Sequence, residues 1–494
     1  MSGAPSDPSG LHRGTLGVGA IVFLVLAAVA PLTGMIVVAG IGIATGVGGA
    51  TPLMYVAATV VFLLFAVGYA RMAREVINAG GFYVYVVRGL GRTAGLMAAG
   101  VALVGYNCFV IGAIGTSGFF TGAIVEDLIG VHLPWWVWSV LSAALAWLLT
   151  RSGIDFSTKV LAVSLTLEVA IIVALDVAVL ARHGYSLRAL DPALVTGGSV
   201  GLGLLFAATA FVGFEATGLF GEEARDPRRT IPRATYVALV VLGALGAITT
   251  WAIVSAIGPD VAGGVAREHL AAGDLVFVVS EQELGHWPTT AMKALLLVSL
   301  FAALLALHNA ATRYLFALGR VHVLPPFLSR TRSATGAPVL ASTVQLGLAT
   351  AVALLFAIVG ADPATTLVPA FVGVGTLGIL TLQALAATAV VVHFRRRRSP
   401  DLLATLVLPG LGGLGLWVAT VLAFVNFPAM AGSEDPTIAR LPWLIPAAIV
   451  ITGIAAVLLR RTRPGVWAAL DQDLDRAESL PGYGAIASRL GVEL

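Results

Sequence analysis

Glu215 stands inside an otherwise apolar run, LLFAATAFVGFEATGLF (residues 204–220). In a membrane a carboxylate is expensive, and one that persists there marks a functional position. Two uses suit it. It can hydrogen-bond amides freed where a helix breaks, or it can carry a proton. Pro31 stands inside a second apolar run, AAVAPLTGMIVVAGIG (residues 27–42), and is followed by Leu32, Thr33 and Gly34. Proline removes one helical hydrogen bond and clashes with the preceding turn, and Gly213 beside Glu215 weakens its own run. Backbone freed in hydrocarbon survives only where it lines a cavity. Residues 33–35 are therefore candidates to receive an anion at a half-helix N-terminus, and the carbonyls of residues 209–211 to receive a cation. A zwitterion needs both.

Other side chains extend the set. Phe206 and Phe211 can wall a pocket or stack on a cation, or make ordinary core contacts. Tyr106 and Asn107 can line a path or bond helix to helix. Lys159, in DFSTKVLAVSLTLE (residues 155–168), can snorkel to the surface or act as a buried, proton-linked cation. Glu168 is nine residues beyond Lys159, about 13.5 Å along a helix and half a turn out of phase. The two cannot share a site, and Glu168 needs some other partner. Asp176 and Lys293 read as outer-end residues within reach of headgroups. His308, Asn309 and Arg313 read as part of an inner gate or a packed helix end.

The elements that must position these groups follow from composition. Of 494 residues, 58% are hydrophobic and only 11% charged, against about 25% charged in soluble domains. This excludes a soluble enzyme and a disordered chain. The apolar runs are continuous rather than alternating, which excludes an outer-membrane barrel and implies spanning helices. Twelve spans are expected, near 16–44, 51–74, 95–125, 133–150, 157–181, 200–221, 234–257, 288–318, 337–359, 364–392, 402–426 and 441–460. With the N-terminus inside, the inner segments hold 23 arginines and the outer loops four, the bias of an N-in, C-in protein. The segment 258–287 is expected over the outer mouth, and the aromatic, Gly-punctuated segment 75–94 along the inner surface. Cys108 is the sole cysteine, so no disulfide is expected; no His/Asp/Glu cluster has metal spacing, and neither cofactor nor metal is expected.

The two interrupted spans, 1 and 6, are five apart. That is the pattern of two inverted five-helix repeats with broken first helices around a midplane site. It divides the chain into a tail (1–15), a first repeat (16–181), a second repeat (200–392), two further helices (402–460) and a C-terminal tail (461–494).

FAATAFVGFEATGLFGEEARDPRRTIPRA (residues 206–234) resembles the helix 6 signature of the amino acid–polyamine–organocation superfamily. YARMAREVINAGGFYVYVVRGLGRTAG (69–95) and HNAATRYLFALGRVHVLP (308–325) are similar to its segments after helices 2 and 8. The resemblance covers roughly residues 12–460. It implies an all-α LeuT-type fold with twelve transmembrane helices. It also implies secondary transport of amino acids or related amines across the plasma membrane, by alternating access and without enzymatic activity. Helix 1 here reads Ala30-Pro31-Leu32-Thr33-Gly34 where many members have a Gly-Ser-Gly break; some branches, polyamine importers among them, also carry a proline there. In some sodium-independent relatives a helix 5 lysine takes the place of a sodium ion, which implies a coupling role for Lys159 and favours proton coupling or exchange. Within the resemblance, Pro31, Thr33, Gly34, Met35, Tyr106, Asn107, Phe206, Thr209, Ala210, Phe211 and Gly213 are the expected substrate contacts, with Lys159 and Glu215 serving coupling or gating. The expected partners are a small amino acid or amine, a proton and the lipid bilayer, with no nucleic acid. A polyamine importer is the first alternative, and a transporter-like ligand sensor is the alternative of another class.

Overall fold

A computed structural model describes residues 16–75, 82–152, 158–215, 217, 224–320, 323–331, 338–430, 436–465 and 467. The tail 1–15 and most of 461–494 fall outside them, as does the side chain of Lys159. No β-strand occurs among the described residues. Nine described helices are long and apolar enough to cross a membrane, and the bent pair Val18–Val29 and Pro31–Thr45 makes a tenth. The other two expected spans are also helical. One is Trp135–Ser152, shortened in apolar content by its tryptophans and Arg151; the other starts as Val200–Thr209 and stops at the expected break.

We label the helices α1 (Val18–Val29), α2 (Pro31–Thr45), α3 (Thr51–Glu75), α4 (Phe82–Leu90), α5 (Arg92–Ile129), α6 (Trp135–Ser152), α7 (Thr158–His183) and α8 (Val200–Thr209). The remainder are α9 (Pro227–Ile257), α10 (Ala262–Glu268), α11 (Leu275–Leu284), α12 (His286–Arg320), α13 (Val339–Ile358), α14 (Val368–Arg396), α15 (Leu408–Met430) and α16 (Leu444–Thr462). The long third span is one uninterrupted helix of 38 residues, about 57 Å, so it outreaches a bilayer by tilt or protrusion. The eighth is likewise continuous. Among the described residues only the first bends sharply, by 42°.

Packing pairs the spans in a regular way. α3 packs on α9, α5 on α12 and α6 on α13. In these three pairs each member meets the span five later. Small residues allow the closest crossings: a Cβ on Gly378 of α14 would lie 2.8 Å from the Gly105 Cα of α5. The broken helices lie between these layers, with α8 against α2, α3, α14 and α15 and α2 against α7 and α12.

Two peripheral expectations change. α4 is not a surface helix. Phe82 and Tyr85 are buried in an aromatic cluster with Phe65, Tyr69 and Phe214, because five large rings bury more apolar area together than any of them would at an interface. Asp176 is not at the headgroups either; it is buried and accepts from Thr249 Oγ1 at 3.0 Å. Lys293 pairs with Asp127 at 2.7 Å. The segment over the expected outer mouth forms α10 and α11, and α10 packs on α2. At another end of the bundle, Asp401 meets Arg71; the Ala404 N–H, and then Arg71, hold its carboxyl below the usual range.

Candidate functional site

The first break is built by three residues. Ala30 takes a left-handed conformation (φ 52°, ψ 75°), ending α1 and opening α2. That conformation costs a non-glycine residue about 1–2 kcal/mol. Pro31 then occupies the first position of α2, where its missing N–H is least harmful. The N–H groups of Leu32 and Thr33 turn to side chains: Leu32 to Glu168 Oε2 at 3.4 Å, Thr33 to Ser299 Oγ at 3.3 Å. Consequently the carbonyls of Ala27, Ala28 and Val29 lose their ordinary helical donors. The free amides were expected at residues 33–35. They lie one residue earlier and are already engaged, since Gly34 N–H returns to the Ala30 carbonyl at 3.1 Å.

The second break follows α8. Residues 210–215 run as consecutive turns, with Phe211 N–H on Ala208, Val212 N–H on Thr209 and Phe214 N–H on Phe211. Among the described residues no N–H bonds the Ala210 carbonyl. Gly213 has φ +114°, and a Cβ there would press Val29 Cγ2 at 3.0 Å. Glu215 closes the turn on itself: its Oε2 accepts from Gly213 N–H at 2.9 Å and its Oε1 from Tyr106 Oη at 2.6 Å. Of its two expected uses, the capping of freed backbone is the one this geometry displays. We expect Gly213→Ala to cost about 1–3 kcal/mol, the range for a residue forced into a sparsely populated conformation. A melting temperature equal to that of the unaltered protein would contradict this.

Between the breaks is a cavity of about 90 Å³. Ala28, Val29, Thr33 and Gly34 line it from the first break, and Thr209, Ala210 and Val212 from the second. Phe109, Thr116, Leu300 and Val372 are among those that complete it from α5, α12 and α14. Its polar side chains are hydroxyls; among its lining residues none is charged. Thr209 Oγ1 is 2.7 Å from Thr376 Oγ1, which ties the end of α8 to α14.

The expected site residues thus divide. Thr33, Gly34, Thr209 and Ala210 come together at the cavity. Pro31 and Gly213 shape the breaks without lining the cavity, and Met35 is buried on α2 outside its lining. Phe206 is fully buried against α2, near Gly42, and Phe211 stacks on Phe62 with centroids 4.8 Å apart; both face the core. Tyr106 stacks on Tyr314 and bonds Glu215. Asn107 bonds the Leu103 carbonyl, with Gln345 of α13 at 3.5 Å. His308 is buried between Gln345 and Ser342. Glu168 finds the partner that helical arithmetic could not name, the first break itself, with Ser164 Oγ at 3.0 Å and Ser299 Oγ at 2.8 Å. The Ser164–Glu168 spacing of one helical turn was legible in the sequence. Ser299, alone in an apolar run 131 residues away, carried no such signal.

The amino acid permease family model matches residues 16–456. The chain belongs to this amino acid permease family. It is a membrane transporter and not an enzyme. An uncharacterized transporter of Mycobacterium tuberculosis is 28% identical over 67% of the permease and 69% of its own length. The branched-chain amino acid permease BcaP of Bacillus subtilis is 25% identical, over 80% and 82%. The low-affinity putrescine importer PlaP of Escherichia coli is 22% identical, over 63% and 68%. Among the described residues of the permease no His/Cys/Asp/Glu group could hold a metal ion.

Proposed function

We propose that this permease carries neutral, mainly aliphatic amino acids across the plasma membrane by alternating access, with both termini cytoplasmic. The observation that carries the reading is the cavity lining. Freed carbonyls at Ala28, Val29 and Ala210 offer a seat for one ammonium group. The Leu32 and Thr33 amides at the start of α2, held in this structure by Glu168 and Ser299, are the seat for a carboxylate once released. The remaining walls are aliphatic or hydroxyl-bearing. A diamine brings a second ammonium, and a buried cation needs a paired anion. Glu215 and Glu168, the acids at the two breaks, are both engaged by the protein's own donors. The similarity to BcaP supports the same choice. The second reading, a polyamine importer, draws on the similarity to PlaP and on the proline at the break.

The test is uptake into proteoliposomes, with pooled L-leucine, L-isoleucine and L-valine against pooled putrescine and spermidine. Amino-acid uptake that is stimulated by an inward proton gradient, or by internal amino acid, is the expected result. Uptake of the amines alone would transfer the assignment to the second reading.

A further inference from the structure

Glu168 belongs to α7, away from the cavity wall, yet it touches the first break. Its side chain is 4% exposed. Its three donors are Leu32 N–H, Ser299 Oγ and Ser164 Oγ, all neutral. α7 packs against α1, α2, α9, α11 and α12, and none of these brings a cation to it. α1 and α2 contain no titratable residue. On α9, Arg228, Arg229, Arg233 and Tyr236 lie in the first turns, far from the level of the break. On α11, Glu281 meets His286, and Glu283 meets His183 and Arg182. On α12, Lys293 is held by Asp127, His308 by Gln345 and Ser342, and Tyr314 by stacking on Tyr106; Arg313 lies fourteen residues beyond Ser299 along the same helix. Asp176 on α7 itself accepts from Thr249 through Oδ2 only, its Oδ1 being buried without a partner among the described residues, and it lies eight residues beyond Glu168; Glu215 at the second break is occupied by Tyr106 and Gly213.

A second observation joins this acid to the cavity. Thr33, which lines the cavity, donates its hydroxyl to Ser299 Oγ at 3.0 Å, and Ser299 donates in turn to Glu168 Oε2 at 2.8 Å. Both donors point the same way, from the cavity to the carboxylate. That is the orientation a proton needs to move inward by successive hydroxyl hops.

We propose that Glu168 is the proton-coupling residue of this permease: ionised, it occupies the Leu32 amide; protonated through Thr33 and Ser299, it releases that amide to the carboxylate of the substrate. The inference rests on the amino-acid reading above. A hydronium from the bulk gives up one proton at Thr33 and leaves neutral water, the hydroxyl protons shift one place, and Glu168 Oε2 gains one. The substrate carboxylate then accepts from Leu32. On the opposite side the substrate departs and Glu168 returns the proton. Each neutral amino acid therefore moves with one proton and one positive charge.

The sign of the pH dependence follows from linkage. Binding requires protonated Glu168, so affinity is flat below the titration of Glu168 in the empty transporter. Above it, affinity falls about tenfold per pH unit. The test measures binding of L-leucine, L-isoleucine and L-valine to the purified protein across pH, for the unaltered chain and for Glu168→Gln. The expected result is that the slope vanishes in Glu168→Gln, while counterflow exchange survives and gradient-driven accumulation is lost. An unchanged slope in Glu168→Gln overturns the proposal, as does a slope that survives there and disappears in Lys159→Ala. Should Glu168→Gln fail to fold, a pH indicator in weak buffer decides on the unaltered protein. Uptake of about one proton per substrate bound is expected, and none overturns the proposal. Failure of the unaltered protein to bind any of the three would instead overturn the substrate reading and this inference with it.

Discussion

Glu215→Ala is expected to reduce uptake to that of empty liposomes and to lower the melting temperature. The carboxylate accepts two hydrogen bonds, from Gly213 N–H and from Tyr106 Oη. Bonds to a charged acceptor contribute about 1.5–3 kcal/mol each, and a buried donor left unpaired costs a further desolvation penalty of about 1–3 kcal/mol. Alanine strands both donors at once. The turn from Ala210 to Glu215 then loses the contact that fixes it to α5, and the Ala210 carbonyl loses its aim at the cavity. Glu215→Gln should lie between. Its carbonyl oxygen can keep one donor, but its amide nitrogen offers hydrogens where an acceptor is needed. Thermal unfolding in detergent, measured beside uptake, separates the cases. Alanine at full activity would remove Glu215 from the support of the site.

Gly34→Leu is expected to do the reverse: leave stability intact and stop transport. Gly34 has ordinary right-handed helical angles, φ −58° and ψ −43°. A Cβ added there meets nothing within 4 Å, because it enters the cavity. Leucine is also the better helix former, by about 0.5–1 kcal/mol. The melting temperature should therefore hold or rise, while the side chain fills a space of about 90 Å³. Gly34→Ala should narrow the site, raising KM for leucine more than for alanine. Unimpaired leucine uptake by Gly34→Leu would show that substrate binds elsewhere.

The helices were largely legible in the sequence, because uninterrupted apolar runs of bilayer length have few other solutions. Both breaks were legible for local reasons, a proline in one and a glycine beside an acid in the other. The contacts across the site were not. Thr33, Gly34, Thr209 and Ala210 flank their breaks and so could be named from position alone. Phe206 and Phe211 share the same stretch but turn to the core, since which face of a broken helix meets the cavity depends on crossings made by distant glycines. Glu168 displays the limit most clearly. Its chemistry was evident and its partners were not, because Leu32 and Ser299 lie 136 and 131 residues away. No spacing rule within one helix reaches that far.

Ala30 has a mechanical consequence. The start of α1 is tethered by Leu16, whose carbonyl receives Arg225 N–H at 2.9 Å just before α9. The far end of α2 is tethered elsewhere, where Arg267 of α10 donates to the Ala44 carbonyl at 3.2 Å. The two half-helices are thus levers with separate anchors and a single shared pivot. Rotation about Ala30 stretches no hydrogen bond running from one half-helix to the other, because the Ala30 N–H bond to the Leu26 carbonyl and the Gly34 N–H bond to the Ala30 carbonyl both end at the pivot. Swinging one lever while the other stays moored is expected to be limited by the repacking of side chains, not by melting of backbone, and to expose one end of the cavity at a time.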